Sequence, residues 1–350
     1  MTVVGALRQT RTKLTTGGIG RLVNVLLIVI LVIAGVELAI KVVHAGPSFL
    51  VQIFTFGVAN GSIYALIALG YTMVYGIIEL INFAHGDVFT LGAFISLFVF
   101  PFFGIAEGKL SGSSLILPLL LSFAISMLIC GVINVGIERI AYRPLRNAPR
   151  LAPLITAVGM SFTLEGVMYL WKGPFNIHYP DVLPATRIHI GGTATIGIKD
   201  LIVIGTAVIL VIALSIFING SKMGKAMRAT AQDRDAAQLM GIDINRTISA
   251  TFFIGALLAA AGGTVFGLYY NTITFDQGFE AGLFAFTAAV FGGIGNIQGA
   301  ALGGLLIGMI AAFWDGYFDS KWTQVVIFAI LILVLLFRPS GLLGMRVPEK

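Results

Sequence analysis

The sequence predicts an all-α protein that crosses a membrane about ten times, and three observations carry that prediction. Of its 350 residues, 57% are hydrophobic and only 11% charged, against about 25% charged in average usage. The apolar residues gather in unbroken runs close to the ~20 residues a helix needs to span a bilayer. Forty-three glycines suit close helix contacts in lipid, where small residues let backbones approach. So few charges cannot clothe a soluble surface, which excludes a soluble enzyme, a nucleic-acid binder and a disordered scaffold. A transmembrane barrel needs alternating segments of about ten residues, and these runs do not alternate. The net charge of +6 is spread over short loops and points to no nucleic acid.

Along the chain, apolar runs lie near 22–42, 50–70, 88–106, 115–137, 154–171, 200–219, 249–270 and 323–337. Between 282 and 316 the chain is apolar but Gly-rich, and Gly295-Asn296-Ile297-Gln298-Gly299 cuts it into two short or broken helices. The first run, ending in Val43-His44-Ala45, has the outline of a cleaved signal peptide. Its length exceeds the usual ~7–15-residue core of such a peptide, which favours a retained helix. The single cysteine, Cys130, sits in an apolar run, so neither an internal disulfide nor a cysteine metal site is expected.

Sixteen of the 22 Lys and Arg fall in four clusters: Arg8 to Arg21, Arg139 to Arg150, Lys222 to Arg246, and Arg338 to Lys350. Even numbers of spans separate these clusters, so one face collects them all. The bias of cations toward the cytoplasm then puts both termini there.

Polar residues enter the membrane at three places. The first carries Asn60, Ser62, Tyr64, Tyr71, Glu79, Asn82, His85, Asp87 and Thr90. Ionisable groups at membrane depth are costly and face a cavity or a partner helix. Either this is a discontinuous helix lining a substrate path, or a polar turn that only fixes packing. A proton relay lacks a second acid–base pair, and a metal site lacks clustered ligands.

The second place is the 220–247 loop. Asn219-Gly220 closes a helix, and residues 225–241 read as one helix rich in Ala and Met. Arg234-Asp235-Ala236-Ala237 followed by Gly241 gives a small-residue face suited to docking on another protein, with a solvated interfacial helix as the alternative. The third place is Gly292, Gly293, Gly295, Asn296 and Gly299, a glycine-rich helix break without cations for phosphate. Gly220-Ser221-Lys222-Met223-Gly224-Lys225-Ala226 has the wrong spacing for a P-loop. No nucleotide site is therefore expected. Val74-Tyr75-Gly76 with Asn82 and Gly86 weakly echoes Val290-Phe291-Gly292 with Asn296 and Gly299, as repeat halves do where they meet at a transport path.

Several long motifs in order carry a family resemblance. They are the stretch Asn60 to Gly76, Ile81-Asn82-Phe83-Ala84-His85-Gly86-Asp87, Glu138-Arg139-Ile140-Ala141-Tyr142-Arg143-Pro144-Leu145-Arg146, Met223 to Ile242, Phe291 to Gly295, and Arg338-Pro339-Ser340-Gly341-Leu342-Leu343-Gly344. Over residues 48–346 the chain resembles permease subunits of branched-chain amino acid ABC transporters, the LivH type. Residues 1–47, a tail and an extra helix, lie outside the usual core of that family.

The resemblance implies a bacterial inner-membrane, multi-pass permease that works with a second permease subunit, sister or identical. It further implies two cytoplasmic ATPase subunits, a periplasmic substrate-binding protein and no cofactor. It assigns Arg234, Asp235, Ala236, Ala237 and Gly241 to coupling with the ATPase. Departures are Asp235 and Asp87 where Glu is usual, Gln298 where Pro is common, and no Leu-Pro after Gly241. Rival readings are a permease for urea or short-chain amides, and an ion-coupled secondary transporter or channel. A membrane enzyme lacks any catalytic constellation.

Overall fold

The computed structural model describes residues 18–344 except 79, 81, 106–111, 147, 150, 191–193 and 339, with side chains from residue 35 onward apart from those of Ile190 and Ala194. Glu79, Ile81, Pro339 and the cluster cations Arg8, Arg11, Lys13, Arg150, Arg346 and Lys350 lie outside the described residues. The helices are α1 Gly18–Ile78, α2 Ala84–Val99, α3 Ser113–Ile137, α4 Leu151–Lys172, α5 Ile198–Gly220, α6 Lys222–Gln232, α7 Arg234–Leu239, α8 Ile244–Tyr270, α9 Gln277–Gly292, α10 Ile297–Tyr317 and α11 Thr323–Phe337. Four short strands pair antiparallel in loops: β1 Ile177–His178 with β4 Thr272–Ile273, and β2 Arg187–Ile190 with β3 Ala194–Gly197.

Eight helical stretches among the described residues are long and apolar enough to cross a membrane. Within α1, Gly46 takes a left-handed φ of 82° ahead of Pro47, so one helical stretch holds two crossing segments. The 16-residue α9 is shorter than these stretches, so the structure shows eight such stretches where the sequence predicts about ten segments. Val43-His44-Ala45 runs in continuous helix up to that kink.

Two shells follow from burial. The apolar windows of α1 and α8 are each 78% buried, whereas those of α3 and α5 are 22% and that of α11 is 11%. The inner helices therefore carry small residues and the outer ones large aliphatic faces for lipid. Gly57, Gly61 and Ala65 of α1 recur every four residues and meet Gly304, Gly308 and Ala312 of α10. A Cβ on Gly308 would lie 2.1 Å from Gly61 Cα. In lipid, where apolar burial between helices gains little, such backbone proximity supplies dispersion contacts. The small residues Gly92 and Ala260 join α2 to α8 in the same way, a Cβ on Gly92 falling 2.4 Å from Ala260 Cα.

The single helix expected over 225–241 is two. Asp233 is extended at φ −155°, and its carboxylate accepts the amides of Asp235 and Ala236, capping α7. An Asp that can satisfy free helix-start amides competes with helix continuation. Gly241 has φ 83°, and the amides of Gly241 and Ile242 close on the carbonyls of Gln238 and Ala237. Glycine tolerates this left-handed stop without strain.

Candidate functional site

Three regions bear on function, and the first is a face where loops and helix breaks interlock. At the end of α3 a π-helical turn, Glu138–Tyr142, folds the chain back. The Tyr142 hydroxyl donates to Asn82 Oδ1 at 2.6 Å. Glu138, fully buried, pairs with Arg146 and accepts the Ser249 hydroxyl at 2.6 Å. Arg146 also donates to Asn245 Oδ1 at 2.7 Å. The α6–α7 segment is fastened to the same face, because Arg234 donates to the Ile77 carbonyl at 2.8 Å and Arg228 to the Ile218 carbonyl. At its tip Asp235, Ala236 and Gly241 are exposed and Ala237 is buried. Beside them Leu239 and Met240 are 88% and 83% exposed.

The two helix breaks meet on this face: a Cβ on Gly76 would sit 3.3 Å from Gly295 Cα. Thus the echoing segments are neighbours in space. One helix ends at Ile78 and the next begins at Ala84, and α9 ends at Gly292 with α10 beginning at Ile297. Asn296 caps α10 by accepting from Gln298 and Gly299, while its amide donates to the Leu343 carbonyl at 2.8 Å. The amides of Leu342 and Leu343 in turn bond the Phe291 and Gly292 carbonyls, each at 2.9 Å. Carbonyls freed at the end of α9 are satisfied by the chain's last turn, as a helix end away from water requires. Gly292 and Gly299 touch through backbone, and Gly293 packs on Gly344, which is why this stretch is glycine-rich.

The second region is an interior column of polar groups. Asn60, Ser62, Tyr64, Tyr71, Asn82, His85, Asp87 and Thr90 are all buried. His85 lies between Gly70 and Gly255 with its ring 4.9 Å from that of Tyr71. Asp87 accepts the Ser161 hydroxyl, tying α2 to α4. Tyr64 packs edge-on against Phe284, and Ser62 donates back to the Val58 carbonyl of its own helix. Asp87 Oδ1, Thr90 Oγ1 and Asn82 Nδ2 find no hydrogen-bond partner among the described residues. Beside Tyr71 lies a void of about 10 Å³, lined by Tyr71, Tyr75, Phe286, Ala289 and Ile294.

The third region was not singled out by the sequence. On the face opposite the α6–α7 segment, at the start of α5 and the ends of α8 and α10, opens a cavity of about 700 Å³. Phe49, Phe56, Tyr269 and Tyr270 wall it, and Arg187, Lys199, Asp200 and Asp315 supply charge. Tyr269 donates to Asp200 at 2.5 Å. Lys199 bonds Asp181 at 2.6 Å and holds that carboxyl below the usual range. The four charged residues come from three separate stretches of the chain, so no local motif announces them.

The family profile for the permease component of the branched-chain amino acid transport system matches residues 53–335. The chain belongs to that permease family. Among curated relatives of the family, BraD of Pseudomonas aeruginosa, a high-affinity branched-chain amino acid transport permease, is 43% identical over 299 residues. That alignment takes in 84% of this chain and 95% of BraD. The LivH permease of Escherichia coli K12 is 42% identical over 309 residues, 86% of this chain and 97% of the relative. A second permease type, LivM of Salmonella typhimurium, is 22% identical over 314 residues, 82% of this chain and 69% of the relative. No solved structure matches the permease chain.

Proposed function

We propose that the chain is the membrane permease subunit of an ATP-driven importer of branched-chain aliphatic amino acids in the bacterial inner membrane. A sister or identical permease, two ATPase subunits and a binding protein complete the assembly. The face carrying residues 138–146, the α6–α7 segment and residues 338–344 is the cytoplasmic one, in keeping with its cation excess.

The observation that carries this reading is the α7 tip. Leu239 and Met240 stand 88% and 83% exposed on a segment that Arg234 fastens to the end of α1. A pair of apolar side chains presented to water on a polar helical segment marks a docking point. When nucleotide binding closes the ATPases, α6 and α7 move with them and lever α5 and α8, whose ends they join. The interior column then opens. Asp87, Thr90 and Asn82, buried with unpaired polar atoms, gain partners in that opened state, which keeps the closed packing from being too deep a minimum.

Uptake of radiolabelled leucine against urea, in cells deleted for their own permeases and supplied with the whole transporter, tests the substrate. Saturable leucine uptake is expected, and urea uptake without leucine uptake would overturn the assignment.

A further inference from the structure

The 700 Å³ cavity falls within the ~300–1,000 Å³ range of small-molecule sites, and its wall has the chemistry of one ligand class. Lys199 is engaged by Asp181 and Asn271, and Asp200 by Tyr269 and the Gly197 amide. Those four contacts already engage two of the four charged side chains. Arg187, exposed at the rim, has no side-chain partner among the described residues. Asp315 accepts the Thr323 hydroxyl through Oδ1 and leaves Oδ2 open. One available cation and one available carboxylate therefore share a cavity whose wall also includes the apolar Phe49, Ile53, Phe56 and Ala312 beside the polar Gln52 and Thr195.

A planar guanidinium takes a carboxylate in two parallel bonds, and a carboxylate takes an ammonium. Apolar rings and methyl groups between them suit a branched aliphatic side chain. The cavity wall also touches the interior column, because the Tyr270 hydroxyl on that wall donates to Asn60 Oδ1 at 3.0 Å.

We propose that this cavity is the outer acceptor site for a zwitterionic aliphatic amino acid, with Arg187 holding its carboxylate and Asp315 its ammonium. This rests on the amino acid importer reading above and names the first place on this chain where the substrate lodges. Tyr270, bonded to Asn60, closes the site from the column until the helices move.

The test uses the complete transporter in cells. Wild-type leucine uptake is measured first and reports on the importer reading alone. Arg187→Gln and Asp315→Asn, each compared at equal membrane abundance, are expected to lower leucine uptake about tenfold, the loss of one charged contact. Arg187→Lys is expected to fall between wild type and Arg187→Gln. A second readout follows the site directly. Thr186→Cys places an exposed thiol on the cavity wall, while the native Cys130 is fully buried and shielded from a membrane-impermeant maleimide. Leucine presented with the binding protein is expected to slow labelling of the Thr186→Cys chain, and this protection is expected to disappear when Asp315→Asn is added. If the wild type imports leucine while both charge variants import it equally well, or while leucine gives no protection, the acceptor-site proposal is overturned and the importer reading stands. If the wild type imports no leucine, both fall.

Discussion

Glu138 is fully buried with a guanidinium on one oxygen and a hydroxyl on the other. A buried ion pair is weak evidence of net stability, but stranding one partner is costly because the other charge stays desolvated. Glu138→Gln is therefore expected to destabilise the chain by about 3 kcal/mol, the low end for such pairs because Arg146 keeps an edge in water. Adding Arg146→Gln is expected to recover part of the loss, since no unpaired charge then remains. A double-mutant cycle on thermal unfolding in detergent checks this, and additive losses would show that the pair is not coupled. Both residues stand inside one motif legible in the sequence, yet their pairing is not. Eight residues apart in a straight helix they would lie more than two turns from each other. The π-helical turn and Pro144 bend the chain so that they meet, and helical periodicity carries no sign of such a bend. The same holds for His85, whose seat depends on Gly70. A Cβ there would fall 2.1 Å from the ring, and nothing local in the sequence pairs those positions.

At the scale of elements, the α6–α7 segment shows what composition can and cannot say. Its helix formers and terminal Gly241 are legible, and so is the stop that the glycine makes at φ 83°. The division at Asp233 is hidden because an Asp inside a run of helix formers reads as a surface residue unless its capping role is considered. On the coupling reading proposed above, that division matters. It turns α7 away from α6 and presents Leu239 and Met240 at a corner, while the buried Ala237 packs inward. Ala237→Asp would place a charge in that packing, and Gly241→Arg would put a side chain on a left-handed residue beside the exposed pair. Each is expected to abolish leucine uptake while the chain still reaches the membrane, measured by transport and immunoblot on the same cells. Normal transport by both variants would remove α7 from the coupling path. The glycine-rich break is the converse case. Its position is plain from Gly292 to Gly299, but its partner, the turn at Leu342 and Leu343, lies some fifty residues on and is joined by backbone bonds and the Asn296 side chain, a pairing no sequence pattern announces.

Across the whole molecule, the all-α polytopic character is legible because lipid enforces unbroken apolar runs and internal backbone bonding. The inner and outer shells were legible only as a count of small residues, since which glycines face each other depends on helix rotation. The outer cavity was invisible, because Gln52, Arg187 and Asp315 come together through the fold alone. The overall arrangement also bears on energy supply. Among the described residues no group of three or more His, Cys, Asp or Glu gathers as a metal site, and the column around His85 and Asp87 is sealed by packing. On the importer reading proposed above, work arrives mechanically at the α7 corner, across the bundle from the proposed acceptor cavity. Purified chain alone in liposomes is accordingly expected to bind leucine weakly and to concentrate none of it, with or without an imposed proton or sodium gradient. Adding the ATPase subunits, the sister permease, the binding protein and ATP is expected to produce accumulation inside. Gradient-driven accumulation by the lone chain would mean that the bundle carries its own coupling, and that the exposed Leu239 and Met240 serve some contact other than a motor.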